Sequence, residues 1–354
     1  MTTSLSLPSK PSTTDPTPLF EFYRGCYGTE LLAVALVEFR IFDRLKAGGL
    51  SFAVLKDELG ITDRALNVLL TGLRAMGMLT VAPDQSLRLS ELAAEHLVEG
   101  GDYYVGDYFA RSAESAGSKE MAARLRSGKP RGSEDKAAGV GFLFREGLRS
   151  AMEQEAEARQ FTLMLAGRAK NVAPVLAERL PLKGVKRLVD VGGGSGIYSV
   201  ALLRQNPELT AVVWDRPEVL KVAADFGAQA GVGDRLKLVP GDMFKDAFPM
   251  GAEVALLSNI LHDWDIHDAR EIVRKCSQGL PEGGRIVVHD VFLKDDLSGP
   301  LAPALYSAHL YLVTEGRLYS ALEVQSWLEE FGFQLVEKIP TRVHCSALVG
   351  LKVR

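Results

Sequence analysis

A histidine set among carboxylates, and a turn of glycines behind an acid, are the parts of this chain whose types and spacing can do chemistry. His262 stands in LLSNILHDWDIHDAR, a few residues beyond a buried apolar run, where a neutral imidazole can remove a proton near pH 7. An acid on the far ring nitrogen would fix the tautomer and stabilise the imidazolium. Asp290, at the end of the apolar run RIVVHD, is the candidate. Asp263 is an alternative orienter or, equally, a helix-capping acid before Trp264.

The glycines lie in Lys186–Ser199, KRLVDVGGGSGIYS, where Leu188, Val189 and Val191 read as a buried parallel strand with Asp190 near its carboxyl end. A dinucleotide fold needs G-x-G-x-x-G so that pyrophosphate rests on a helix N-terminus. Here the spacing is G-x-G-x-G, with Ile197 where the third glycine would stand. An acid at the strand tip would repel pyrophosphate, whereas S-adenosylmethionine carries an ammonium and a sulfonium and no phosphate. Asp190 therefore favours that methyl donor. Transfer from a sulfonium has an excellent leaving group, so the catalyst has mainly to orient the acceptor and take its proton.

These residues need a frame. From Lys186 onward, expected strands at 187–191, 211–214, 236–239, 254–258 and 285–290 alternate with helices at 197–205, 217–230 and 267–279. Helices at 303–314 and 321–331 follow, and two extended runs at 333–338 and 345–353, joined through Pro340, suit an antiparallel hairpin. Alternation of this kind implies a doubly wound, Rossmann-like α/β sheet, whose ligands bind beyond the carboxyl ends of the strands. At those ends stand Asp190 and the glycines including Gly192 and Gly194, then Asp215, then Asp242, Met243 and Phe244, then Ser258, Asn259, His262 and Asp263, then His289 and Asp290. Asp215 can accept ribose hydroxyls and Asp242 an adenine amino group, while Met243 and Phe244 cover the ring faces.

The remainder is ordinary globular composition: 354 residues, 47% hydrophobic and 24% charged, enough for two domains. A net charge of −4, with Lys and Arg dispersed, leaves no footprint for nucleic acid. Cys26, Cys276 and Cys345 have neither disulfide-framework nor metal-ligand spacing, and no metal site is expected; a reducing cytoplasm fits. No apolar run is long enough to cross a bilayer, and the Ser/Thr/Pro-rich start has no leader pattern. Residues 1–18 read as a disordered tail. Residues 19–100 read as mostly helical, with a densely apolar helix through Leu31–Phe42, helices at 52–58, 63–76 and 90–97, and a hairpin at 79–89. Helices followed by a hairpin form a winged helix. The few cations on its second helix favour a dimerisation role over DNA binding. Residues 101–170 are a helical connection with a mobile polar stretch at 112–138, a short helix at 120–126 and a longer one from 140 to 168; 172–180 is a further helix.

In order and spacing, LVDVGGGSG, VVWDRPEV, PGDMF, LLSNILHDWDIHDA and GGRIVVHDVFL resemble the small-molecule O-methyltransferases shared by plants (the caffeate type) and bacterial natural-product pathways. The resemblance spans nearly the whole chain. It implies a class I methyltransferase domain over 171–354, a homodimer through 19–100, S-adenosylmethionine as donor with S-adenosylhomocysteine as product, and His262 as general base flanked by Asp290. It places cofactor contacts at Gly192, Asp215, Asp242 and Met243, and the residues around the same strand ends add Asp190, Gly194, Arg216, Phe244 and Ser258 as candidates. Two departures stand out: Ser258 replaces a lysine of the plant enzymes, and the second base-flanking glutamate has no counterpart, its place falling near Leu318.

The expected reaction is methylation of a hydroxyl, most simply phenolic, on a small aromatic metabolite. A C- or N-methyltransferase, or a relative that binds the donor without transfer, is the alternative on the same fold, and His289 near His262 leaves room for metal-assisted C-methylation. Tyr103, Tyr104, Tyr108, Phe142, Phe144, Tyr306, His309 and Tyr311 are candidates for an aromatic acceptor pocket between the domains. Phe161 and Met164 suit core as well as ligand wall.

Overall fold

The computed structural model describes residues 7–134, 140, 143 and 150–353. They divide into two compact units, one of Glu21–Glu134 with Leu293–Ser320, the other of Met1–Phe20, Asp135–Phe292 and Ala321–Arg354.

The first unit is helical. Helices Phe52–Leu59 and Asp63–Ala75 start on the side chains of Ser51 and Thr62, which accept the backbone N–H groups of Val54 and Ala65. A small antiparallel ladder follows, β1 (Leu79–Val81) and β2 (Leu87–Leu89), in register Leu79↔Leu89. The run expected as one apolar helix through Leu31–Phe42 is broken. Helix Gly28–Ala33 gives way to a π-helical turn, Val34–Glu38, and Arg40 takes a left-handed φ of 49° before helix Ile41–Leu45. Dense apolarity carries no period that could mark this break. Leu31, Val34, Ala35, Ile41 and Phe42 are consumed inside the unit, packed with Leu66, Leu69 and Leu73. The run is therefore filled by intrachain packing and does not of itself demand a partner. Helix Leu301–Val313, expected with the sheet, contributes Leu305, Ala308 and Tyr311 to this same core. The polar stretch is more ordered than expected, with a 3-10 turn at Arg111–Glu114 and a helix over Ala116–Ser127.

The second unit is built on seven strands: β3 (Arg187–Val191), β4 (Thr210–Asp215), β5 (Leu236–Pro240), β6 (Val254–Ser258), β7 (Arg285–Val291), β8 (Phe333–Pro340) and β9 (Cys345–Lys352). Their order is β5-β4-β3-β6-β7-β9-β8. The first five are parallel; β9 runs antiparallel to β7 and β8 antiparallel to β9. Continuous burial of β3, β4 and β6 explains their unbroken apolar runs. The strand order reverses between β3 and β6, which is where an open α/β sheet binds its ligand.

Two helices expected over 140–168 and 172–180 are one helix, Glu155–Arg179, with Pro174 inside it. Residues 150–154 precede it as a 3-10 turn and an extended Gln154, and most of 140–149 lies outside the described residues. Residues 7–17, expected as tail, are tied to the sheet unit. Arg204 donates to the Leu7 carbonyl, Arg342 to the Ser12 carbonyl and hydroxyl, and the Val343 N–H to Thr17 Oγ1. Among the described residues no helix is long and apolar enough to cross a membrane.

Candidate active site

Directly after β3, Gly192, Gly194 and Gly196 all take left-handed φ values of 63°, 58° and 68°, which side chains rarely adopt. Space makes the same demand at Gly192, where a Cβ would lie 2.6 Å from Ile260 Cδ1 and 3.2 Å from Met243 Cε. Beneath the turn, Asp190 is buried and accepts the Ser199 hydroxyl at 2.7 Å, while its Oδ1 has no hydrogen-bond partner among the described residues. Burial, opposed by the Ser199 hydrogen bonds, pushes its pKa up to about 7.

Asp215, at the tip of β4, accepts the N–H groups of Gly194 at 2.8 Å and of Arg216 at 2.7 Å. Burial raises its pKa to about 6 against those two bonds. Arg216 reaches across to Asp242, Nη1 to Oδ2 at 3.3 Å, and Asp242 Oδ1 accepts the Phe244 N–H at 2.8 Å. The Phe244 ring meets Trp264 edge to face at 4.6 Å. Thus the expected contact residues, from Asp190 to Phe244, stand at the carboxyl ends of the neighbouring strands β3, β4 and β5.

His262 lies in a 3-10 turn, Leu261–Asp263, and is 5% exposed. Its Nδ1 is 2.6 Å from Asp290 Oδ1, which also accepts the Val291 N–H. A carboxylate accepts only, so in the neutral imidazole Nδ1 carries the proton and Nε2 is the basic nitrogen. Asp263 Oδ1 is 3.6 Å from that Nε2. Burial lowers the imidazole pKa, but Asp290 and Asp263 outweigh it, and the net shift is upward. Asp263 itself is pushed up to about 6 by burial. It does not cap the next helix: Asp265 does, accepting the Ile266 N–H.

Ser258 and His289 form a separate group. The Ser258 hydroxyl is 2.9 Å from His289 Nδ1, and Thr341 Oγ1 is 3.0 Å from Nε2. Both ring nitrogens are therefore engaged. Burial drives the His289 pKa down to about 3. Asn259, named among the strand-end residues but given no role, takes a left-handed φ of 58° and donates to Tyr198 and Ser258. Tyr198, on helix Ile197–Gln205, and Thr341, just after β8, had no signal in the sequence, because only tertiary packing brings them to Asn259 and His289.

The acceptor candidates scatter. Tyr311 is fully buried, its ring under Arg64 and its hydroxyl donating to the Arg124 carbonyl, so it belongs to the helical core. Tyr306 stacks on His309, which also meets Tyr23 and Tyr27, two residues the sequence reading passed over. Tyr103 and Tyr108 are largely exposed, and Phe142 and Phe144 lie outside the described residues. Phe161 packs on Met152, Ala158 and Val219, whereas Met164 is exposed.

Residues 119–334 match the family model described as an O-methyltransferase domain. The chain belongs to this O-methyltransferase family. It is 34% identical over 329 residues to 3-hydroxy-5-methyl-1-naphthoate 3-O-methyltransferase of Streptomyces sahachiroi, covering 92% of this chain and 91% of that protein. It is 30% identical to L-tyrosine C(3)-methyltransferase of Streptomyces lavendulae, covering 84% of this chain and 82% of that protein. A crystal structure of an O-methyltransferase family 2 protein from Planctomyces limnophilus in complex with apigenin shares 42% identity, with a TM-score of 0.87 over 97% of this chain and 98% of that one. As an O-methyltransferase family member, the protein is an S-adenosylmethionine-dependent methyltransferase. Its own residues fit that donor. A buried carboxylate oxygen without a partner at Asp190, a second acid at Asp215 and side-chain-free backbone at the glycine turn suit a cationic nucleoside and not a phosphate.

Proposed function

We propose that the protein methylates a phenolic hydroxyl of a small aromatic metabolite, with His262 as general base and Asp290 as its orienter. The observation that carries this reading is the 2.6 Å contact between His262 Nδ1 and Asp290 Oδ1, which in the neutral imidazole keeps the proton on Nδ1 and makes Nε2 the basic nitrogen. Asp190, Gly192, Gly194, Asp215, Arg216, Asp242, Met243 and Phe244 would hold the donor, which when bound supplies a methyl group on a positively charged sulfur. Nε2 takes the acceptor's O–H proton, Asp290 stabilises the resulting imidazolium, and the proton leaves to water after product release. The relatives that act on a hydroxynaphthoate and crystallise with apigenin support a planar hydroxylated acceptor.

A second reading has a specific basis in the tyrosine C(3)-methyltransferase relative. Removing a phenol's proton raises electron density at the ortho carbon as well as at oxygen, so one base serves both outcomes. Incubating the protein with isotope-labelled S-adenosylmethionine and hydroxynaphthoate, flavone and tyrosine acceptors, then locating the label by mass spectrometry and NMR, decides between them. Label on oxygen is the expected result; label on ring carbon selects the second reading, and no transfer to any phenol rejects both.

We further propose a homodimer formed through the N-terminal helices. Leu19 and Phe22 are 71% and 84% exposed on helix Thr17–Arg24, a costly arrangement in water. Light scattering at the monomer mass would remove this proposal.

A further inference from the structure

Asn259 belongs to no part of the reaction described so far, yet its conformation is heavily determined. It follows β6 on a left-handed φ of 58°, its N–H donates to the His289 carbonyl at 2.8 Å, and its side-chain Oδ1 is buried without a partner among the described residues. Strain and an unsatisfied acceptor at one residue are the marks of a site.

The orientation of its amide follows from a chain of hydroxyls. Thr341 Oγ1 donates to the Cys345 carbonyl at 2.9 Å, so it must accept from His289 Nε2–H at 3.0 Å. His289, held neutral by burial, then accepts the Ser258 hydroxyl at Nδ1, at 2.9 Å. Ser258 has given its only proton, so it accepts from the Asn259 NH2 at 3.2 Å; the same NH2 donates to Tyr198 at 3.3 Å. The carbonyl is thereby turned away from the network. Its position is set by the sheet. Asp190 pairs with Leu256, so Gly192 and Ser258 stand level across β3 and β6, at the point where strand order reverses. Asp215 lies on the β4 side of the glycine turn and Asn259 on the β6 side.

We infer that Asn259 Oδ1 accepts a hydrogen bond from the ammonium group of the methyl donor's amino-acid end, and that His289 is the positioning residue that keeps this carbonyl aimed. The inference rests on the donor lying across the glycine turn with its ribose at Asp215, as proposed above. A ligand with its ribose at Asp215 and its chain crossing the glycine turn would bring its amino-acid arm to the β6 side. An ammonium brings three donors, and a carbonyl with no other partner is the group that gains from one.

The test is calorimetric and needs no turnover. S-adenosylhomocysteine carries the amino-acid arm, and 5′-methylthioadenosine has the same adenosine and thioether without it. Asn259→Ala is expected to weaken the first by about tenfold or more and leave the second within about twofold. Unchanged S-adenosylhomocysteine affinity, or equal losses for both ligands, overturns the assignment. Asp215→Ala is expected to weaken both; if it weakens neither, the ribose assignment falls and takes this one with it. If Asp215→Ala behaves as expected and Asn259→Ala does nothing, only the Asn259 role is lost. For the relay, His289→Leu is expected to reproduce part of the Asn259→Ala loss, and His289→Gln to restore it, since an amide can accept from Ser258 and donate to Thr341. Equal behaviour of the two variants removes the positioning role.

Discussion

Two histidines sit near the same end of the sheet, and both are almost wholly withdrawn from water, His262 at 5% exposure and His289 at 0%. Their neighbours differ. His262 faces two carboxylates, which overcome burial and raise its pKa above the ordinary imidazole value. His289 faces two hydroxyls and is driven down to about 3. Burial alone therefore does not say what a histidine does. Charged partners favour the protonated form of one, and neutral partners hold the other as a fixed neutral tautomer.

The contrast can be broken in several ways. His262→Ala is expected to lower turnover of a phenolic acceptor by about a hundredfold or more while S-adenosylhomocysteine affinity stays within about twofold. Steady-state kinetics with calorimetry check this, and unaltered turnover would reject the base.

His289 makes its own prediction in stability. Its folded pKa lies below the unfolded one, so the unfolded chain binds the extra proton. Stability therefore rises with pH from about 3 to about 6.5 and is lost on acidification. Across pH 6.5 to 5 the loss from this one group is about 2 kcal/mol. Thermal melts of His289→Gln over that range are expected to show a correspondingly shallower loss than the parent; parallel curves would mean that His289 is not buried neutral.

Asp290→Asn is expected to cost about tenfold in kcat/KM. It should also move the acidic limb of the kcat/KM profile to lower pH, because the carboxylate that raises the His262 pKa is gone. Asp263→Asn should shift the limb in the same direction by less, since its oxygen stands 3.6 Å from the ring nitrogen and not 2.6 Å. A limb that stays put in both variants would show that His262 does not titrate in the profile. His289→Gln, in contrast, is expected to leave the limb in place.

Much of the sheet was legible because buried parallel strands have to be apolar throughout and glycine turns have few substitutes. The run LVDV and the glycines after it appear where they were expected, and so do the acids at Asp190, Asp215 and Asp290. The break at Arg40 was not legible, since a segment apolar on every face has no period to interrupt. The joining of the expected helices at 140–168 and 172–180 into one 25-residue helix was not legible either, because Pro174 suits the first turn of a separate helix; packing of Val172, Ala173 and Leu176 carries the helix through it.

Residue types and spacing were sufficient to determine the order of strands along the chain and the kind of methyl donor, and to single out His262 for the proposal of a base, because these depend on local charge and on short-range periodicity. The tertiary structure decided which acid holds which ring nitrogen, that Asp265 and not Asp263 caps the following helix, that Leu301–Val313 joins the helical core, and which way the Asn259 amide points. Each of those depends on strand register and on side chains from distant parts of the chain meeting at one place, and pairings of that range leave no periodic trace in a single sequence.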